Sequence, residues 1–323
     1  MRLKWYNNSM EKQIRNSGYI VGVGAANVDI NGRSYAPVNY QDSNPGYMHI
    51  SVGGVTRNIL ENYCRLGGNA VLLSVAGDDI YGRKILSESK KAGIDVSHVM
   101  TVSGCASSTY MSILDSDGSL ALSLSDMNIM KHLSVDYLRK NEDILRNASL
   151  IVTDPSVGTE VISYLLDNYD NVCLDPVSVA YAETVKDYIG CFMICKPNAL
   201  ECGMLSDREI TDGESVEKAA EVLINRGLKE IYVSLGKDGC LYLDRDGNKM
   251  YSHLLPLEEV VNATGAGDAF MAMILYAKMN QFTVEKALEY ACGAGMAAVM
   301  SEDTINRNIS LELIEKILKE RRV

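Results

Sequence analysis

The segment Asn262-Ala-Thr-Gly-Ala-Gly-Asp268 runs directly into the apolar stretch Ala269–Ala277, which reads as a buried helix. Glycines at a helix start let successive backbone N–H groups converge on one point, and the helix dipole adds positive potential there. Gly265, Ala266 and Gly267 would then form a hole for the negative charge that builds on a phosphoryl group in flight. Asp268, in the first helical turn, would stand beside that point and accept the proton of an attacking hydroxyl. The chemistry so described is phosphoryl transfer to an alcohol. The same residues also suit a glycine-rich turn whose aspartate is only a favourable charge at a helix N-terminus, and spacing alone does not separate the two.

A second pair lies near the other end of the chain. Asn27 and Asp29 are two residues apart just past the first strand, so in extended backbone they point the same way. An amide and a carboxylate on one face suit a vicinal diol; an Asn/Asp-rich turn is the plainer alternative. Gly53-Gly54-Val-Thr-Arg57-Asn58 opens a helix, with loose glycines at a helix N-terminus as its plain reading. Other nucleotide motifs fail on detail. Gly22-Val-Gly24-Ala-Ala-Asn27 begins like a dinucleotide fingerprint but lacks the third glycine. There is no G-x-x-x-x-G-K-[ST] loop, and the protein-kinase set is missing.

The elements that must position these groups alternate along the chain. Tyr19–Val23 reads as a buried strand, Gly53–Leu66 as a helix, Ala70–Ala76 as a strand, and a helix follows from about Asp79 to Lys91. Beyond residue 149, strands are expected at 149–153, 172–174, 191–195 and 230–235. Helices are expected at 158–167, 180–189, 198–204 and 214–226, then near 266–278, 284–299 and 310–321, with a hairpin through Asp246-Gly247. Such alternation implies an α/β fold, a doubly wound, mostly parallel sheet flanked by helices, with ligands at the carboxyl ends of the strands. Two regions break the pattern. Residues 31–50, with Pro37 and Asn44-Pro45-Gly46, and residues 105–127, around Asp115-Ser-Asp-Gly118, read as hairpins that together make a small β-sheet lid. The domain is expected to span 19–323, after an extension over 1–18 that reads as frayed chain or a surface helix.

Bulk properties narrow the class. A chain of 323 residues can bury one large core. Its net charge of −11 argues against a nucleic-acid surface, which requires a basic footprint. Eight cysteines without a CxxC spacing, and only four histidines, argue against structural zinc. The first 17 residues lack a secretory pattern, and no apolar run reaches the ~18 residues of a membrane span, so a cytoplasmic protein with reduced thiols is expected.

The 262–268 segment resembles the C-terminal signature of the ribokinase-like (PfkB) carbohydrate kinases, and the 53–58 segment resembles their N-terminal signature. Lys196-Pro-Asn198-Ala-Leu-Glu201 is similar to the family's N-x-x-E element, and Ser234-Leu-Gly236-Lys-Asp-Gly239 to its loop near the γ-phosphate and adenosine. The resemblance spans roughly residues 19–300. It implies a kinase that uses ATP and magnesium. Gly53 and Gly54 would let a sugar approach the backbone, while Asn58 would hold a hydroxyl, with Asp154 on the same acceptor side. Lys196, Asn198, Ser234, Gly236, Gly239, Thr264 and Cys292 would serve ATP, and Glu201 would organise magnesium through water. Asn262 stands where the family pattern begins with aspartate, so a potassium ion would rest on backbone carbonyls at Asn262 and Thr264.

Within the family, the runs Asp42-Ser-Asn-Pro-Gly46, Asp126-Met-Asn-Ile129 and Asp175-Pro-Val-Ser178 are similar to the branch that phosphorylates pseudouridine. The acceptor implied is the 5′-hydroxyl of that nucleoside. A kinase of another nucleoside or of free ribose, and a non-catalytic nucleoside-binding relative, are the alternatives. A uracil joined through carbon exposes an N–H that uridine lacks, and a buried acceptor for it would penalise the wrong nucleoside. Ser43, Asn44, Thr109, Asp126 and Asn128 are the polar lid candidates. Arg57 would meet a base carbonyl or be a solvated helix residue. An open-edged side sheet suggests a homodimer through the lid.

Overall fold

The computed structural model describes residues 18–257 and 260–321, so residues 1–17 of the extension expected over 1–18 lie outside the described residues. The chain enters β1 (Ile20–Val23), all four residues buried, and continues through β2 (Asn27–Ser34) and β3 (Gly46–Gly53) into helix α1 (Val55–Arg65). β4 (Ala70–Leu73), β5 (Val75–Gly77), α2 (Ile80–Lys91) and β6 (Met100–Val102) follow. A hairpin of β7 (Thr109–Leu114) and β8 (Leu120–Asp126) leads to the short helices α3 (Val135–Lys140) and α4 (Glu142–Arg146). Then β9 (Leu150–Thr153), α5 (Thr159–Asn168), β10 (Val172–Leu174), α6 (Val179–Val185) and β11 (Ile194–Cys195) alternate. After α7 (Ala199–Ser206) and α8 (Gly213–Asn225) come β12 (Glu230–Ser234), β13 (Cys240–Asp244) and β14 (Lys249–Ser252). Helices α9 (Ala266–Met279), α10 (Val284–Val299) and α11 (Leu311–Arg321) complete the order.

Eight strands form one sheet in the order β14-β13-β12-β11-β10-β9-β1-β4, parallel from β4 to β12 and antiparallel over the last two. Successive strand side chains point to opposite faces, and both faces are apolar here. Ile20, Leu72, Val152 and Cys173 pack with α1, α9, α10 and α11. Val21, Leu73, Ile151 and Leu174 pack with α5 to α8 on the other face. This is the doubly wound architecture that the alternation implies. No helix among the described residues is long and apolar enough to cross a membrane.

The two irregular regions meet as a four-stranded sheet, β3-β2-β7-β8. β2 starts earlier than expected, since it already includes Asn27 and pairs it with Gly53 of β3. Gly53 therefore ends a strand, and α1 begins at Val55. The single strand expected over 70–76 is broken at Ser74, because β5 leaves the large sheet to pair with β6. The strand expected over 191–195 shortens to two residues, since Lys186–Cys191 coil into a 3-10 turn. The helices α3 and α4 were not anticipated, although Ser134 caps α3 by accepting from Tyr137 N.

Candidate active site

Asp154, Asp175, Lys196 and Ser234 stand at or just past the carboxyl ends of β9, β10, β11 and β12. They face a cleft of about 1650 Å³ closed on its far side by the four-stranded sheet. Location at the strand ends follows from parallel topology, where loops and helix N-termini gather at that edge.

At the centre of the cleft, Gly265 caps α9 with φ 85°, and a Cβ there would lie 1.9 Å from the carbonyl oxygen of Thr304. Only glycine fits that turn. No side chain caps the helix, so the first amides, including those of Ala266 and Gly267, have no partner within it. Asp268 follows one step later, 9 % exposed, and its carboxylate accepts from Asn58 Nδ2 at 2.9 Å. Burial, and then repulsion from the Asp175 carboxylate, push its pKa up to about 7. The hole and the carboxylate expected from the 262–268 segment are thus side by side.

One wall of the cleft, where the acceptor residues were expected, is built by β2 and α1. Asn27 Nδ2 donates to Asp29 Oδ1 at 2.6 Å, and both line the cleft. Burial raises the Asp29 carboxyl above its ordinary value, offset in part by Asn27 and the Arg57 charge. Gly54 and Asn58 also line the cleft. Gly53 does not; its role is to leave room for Asp29, whose Oδ2 would lie 2.1 Å from a Cβ at that position. Arg57 neither lines the cleft nor is solvated. It is 2 % exposed, pairs with Glu61, and donates to Ser89 Oγ at 3.0 Å and to Asn58 Oδ1 at 3.1 Å. Glu61, Arg57, Asn58 and Asp268 form one chain of contacts, in which Arg57 orients the Asn58 amide. Asp154 accepts from Thr56 Oγ1 at 2.6 Å and from Ser156 N at 2.9 Å, which holds α1 against the β9 end.

Among the residues expected to serve ATP, Asn198 and Glu201 form a capping box on α7. Glu201 accepts from Asn198 N and Nδ2, and burial raises its carboxyl above the usual range. Both line the cleft with Lys196, Ser234, Asn262 and Thr264. Lys196 Nζ pairs with Asp175 Oδ2 at 2.9 Å, both side chains being almost wholly buried. Burial alone would lower the ammonium's pKa, but the carboxylates of Asp175 and Glu201 hold it above its ordinary value. Gly236 and Gly239 sit in the loop after β12 without lining the cleft. Cys292 also lies off the cleft wall, its Sγ 3.3 Å from Cys240 Sγ. The Asn262 side chain is turned inward: Oδ1 accepts from Thr264 N at 2.9 Å and Nδ2 donates to the Glu302 carbonyl at 3.0 Å.

The five polar lid candidates do not line the cleft. Ser43 and Asn44 belong to an exposed turn that satisfies itself, Asn44 Nδ2 donating to Asn39 O at 2.9 Å and Asn39 N donating to Asn44 Oδ1 at 2.8 Å. Asn128 Nδ2 donates to Asp126 Oδ1 at 2.9 Å in a second exposed turn. Thr109 pairs with Val28 in the sheet and shares its face, and its hydroxyl donates to Ser107 O at 3.1 Å. The cleft face instead carries Asn31, Tyr47, His49, Tyr110, Ser112 and Ser125. Asn31 lies between His49 and Ser112 in register, and Ser112 Oγ donates to Asn31 Oδ1 at 2.5 Å. His49 Nε2 comes within 3.5 Å of Asp303 Oδ1, linking the small sheet to the loop behind Gly265. The signal was present in the sequence: Asn27, Asp29, Asn31 and Arg33 alternate with Val28, Ile30 and Gly32.

Comparison with known proteins agrees with this geometry. The family model described as pfkB family carbohydrate kinase matches residues 17–310. The pseudouridine kinase of Escherichia coli is 35% identical over 301 residues, covering 92% of this chain and 96% of that protein. A crystal structure of a candidate sugar kinase from Clostridium perfringens superposes with a TM-score of 0.84 at 33% identity, covering 95% of this chain and 97% of that one. The Arabidopsis thaliana ribokinase solved with ribose and ATP shares the fold, with a TM-score of 0.81 at 20% identity over 94% of this chain and 99% of that one.

Proposed function

The chain belongs to the pfkB family of carbohydrate kinases, phosphotransferases acting on hydroxyl groups, and from that premise we propose that it moves the γ-phosphoryl group of ATP to the 5′-hydroxyl of a nucleoside, pseudouridine before others. The observation that carries the proposal is the juxtaposition, in one cleft, of the Gly265–Gly267 helix start with a buried carboxylate, Asp268, that has no ion-pair partner among the described residues.

In this reading Asn27 and Asp29 hold the ribose diol, and Asn58 fixes Asp268 beside the 5′-hydroxyl. As the hydroxyl oxygen attacks the γ-phosphorus, its proton passes to Asp268, and the bond to the β-phosphate oxygen breaks to release ADP. The amides of Ala266 and Gly267 meet the charge on the transferring group. Magnesium keeps several waters and takes few carboxylates, and the hard oxygens of Glu201 beside the cleft suit such an ion held through water. When bound it would neutralise the phosphates. A potassium ion would rest on the carbonyls of Asn262 and Thr264, since the Asn262 side chain is engaged by Thr264 N and the Glu302 carbonyl. Ser234, which lines the cleft, borders the nucleotide.

Two observations support pseudouridine within this class: the 35% identity to the Escherichia coli enzyme, and the row His49, Asn31, Ser112 on the cleft face. An amide, a hydroxyl and an imidazole can accept and donate to the edge of a uracil, including the N–H that only the carbon-linked base carries. Purified protein with ATP and magnesium is expected to phosphorylate pseudouridine with a higher kcat/KM than uridine, guanosine or ribose. Ribose preferred by about tenfold, or ~1.4 kcal/mol at the transition state, would remove the nucleoside assignment. ADP release with none of them would favour a binding relative without turnover.

The small sheet is proposed as a lid and also as a dimer surface. Its face away from the cleft exposes Ile50 (44%), Leu122 (55%) and Leu124 (64%), an apolar patch that a second copy of this chain would cover. Light scattering on the purified protein is expected to give a dimer mass, and Leu122→Glu with Leu124→Glu a monomer. A monomeric wild type at tens of micromolar would refute the surface's role.

A further inference from the structure

We infer that Asp175 is a positioning residue for the transfer: its carboxylate holds the Lys196 ammonium beneath Gly267 and keeps it off Asp268. The inference rests on the reading of Asp268 as the base.

Three observations meet at this residue. First, Lys196 has one ion-pair partner among the described residues, Asp175, at 2.9 Å, with side-chain exposures of 6% and 3%. Second, that ammonium stands at the helix start itself, 2.8 Å from where a Cβ on Gly267 would be. Third, the turn after β10 is bent to aim the carboxylate. Val177, a β-branched residue, takes φ 68°, and its N–H donates to Asp175 Oδ1 at 3.0 Å while Oδ2 faces Lys196. Asp175 N donates to Thr153 O at 3.1 Å, which ties the turn to β9. Left-handed backbone at valine is costly and persists where the surroundings enforce it, often at functional sites.

The charges around Asp268 explain why the division matters. Asp175 and Asp154 face it as carboxylates, Lys196 as a cation, and Asn58 as a neutral donor. An ammonium on Asp268 would stabilise its carboxylate and weaken it as a base. With Asp175 taking that ammonium, Asp268 keeps a high proton affinity, and the cation stays under the amides where the phosphoryl charge develops. Neutralising Asp175 reverses both effects: Lys196 turns to Asp268, and a repelling charge is gone.

The test is the pH dependence of kcat with the best acceptor. In Asp175→Asn the midpoint of the acidic limb is expected to fall by about one pH unit or more, as removal of a like charge predicts, with a plateau lowered about tenfold. Asp175→Glu, which keeps the charge, is expected to retain the wild-type midpoint. A protein of wild-type melting temperature with an unmoved midpoint would overturn the inference, because a merely structural role changes the active fraction and not the titration. If Asp175→Asn is insoluble or too slow to profile, Lys196→Gln serves instead. It leaves Asp175 an unpaired charge beside Asp268, so the midpoint is expected to rise, and a fall or no change overturns the inference equally. Failure of the base reading is separate: it would appear as an active Asp268→Asn, whereas a dead Asp268→Asn with an unmoved Asp175→Asn midpoint rejects only the role of Asp175.

Discussion

Asp268→Asn is expected to yield a folded, nucleoside-binding protein whose kcat is lower by roughly 10²–10⁴, the usual contribution of a positioned acid–base group. The substitution preserves shape and leaves a polar group to meet Asn58, but it removes the proton acceptor. The wild-type carboxyl, pushed up to about 7, must be ionised to act, so wild-type kcat should rise as pH climbs through that value and then level. Stability carries the opposite sign. The folded pKa lies above the unfolded one, so this group's stabilising contribution is complete below about 4 and is lost as pH rises toward 7. Asp268→Asn should therefore melt no lower than wild type at pH 8, and its melting temperature should vary less between pH 5 and 8. Calorimetric melts and nucleoside titration read these outcomes alongside the rate. Near wild-type turnover would reduce Asp268 to a helix-start charge and send the search for a base elsewhere.

Asp29→Ala is the second large effect. The carboxylate is confined by Asn27 on one side and by the space that Gly53 leaves on the other, so its lone pairs are aimed into the cleft. A charge-assisted hydrogen bond to a ribose hydroxyl is worth roughly 1.5–3 kcal/mol. Losing one corresponds to about a tenfold to hundredfold rise in KM for the acceptor, with little change in KM for ATP. Steady-state kinetics with each substrate varied in turn separates the two. Equal changes for both would mean that Asp29 supports the sheet and does not touch the diol.

The parts of the site that lie close together in sequence were the legible ones. The 262–268 run contains its own turn, helix start and carboxylate, and the Asn27–Asp29 pair needs only extended backbone. The alternation of strands and helices gave the doubly wound sheet for the same local reason, since each element's burial pattern is written in its own residues. Part of what failed required pairing between distant segments. The inner face of the small sheet depends on the register of β2 against β3 and β7, which places Asn31, His49 and Ser112 together from three separate stretches. The runs 42–46 and 126–129 carry the residue types of a polar site, yet both are turns whose polar groups bond to one another. Arg57 misled because a charged helix residue is usually solvated; Glu61 one turn on supplies its buried partner and was the overlooked sign. Asp175 meets Lys196 from the neighbouring strand end, a contact that only the order β10-β11 reveals.

The central claim, transfer of a phosphoryl group from ATP to a primary nucleoside hydroxyl, is tested most directly on the product. Purified protein is incubated with ATP, magnesium and pseudouridine, and the phosphorus NMR spectrum of the isolated product is recorded with proton coupling. The account expects ADP together with a new phosphomonoester whose phosphorus signal is split into a triplet by the two 5′ methylene protons. A doublet, from phosphate on a ring hydroxyl, or no phosphomonoester with any nucleoside or sugar of the panel, would contradict it.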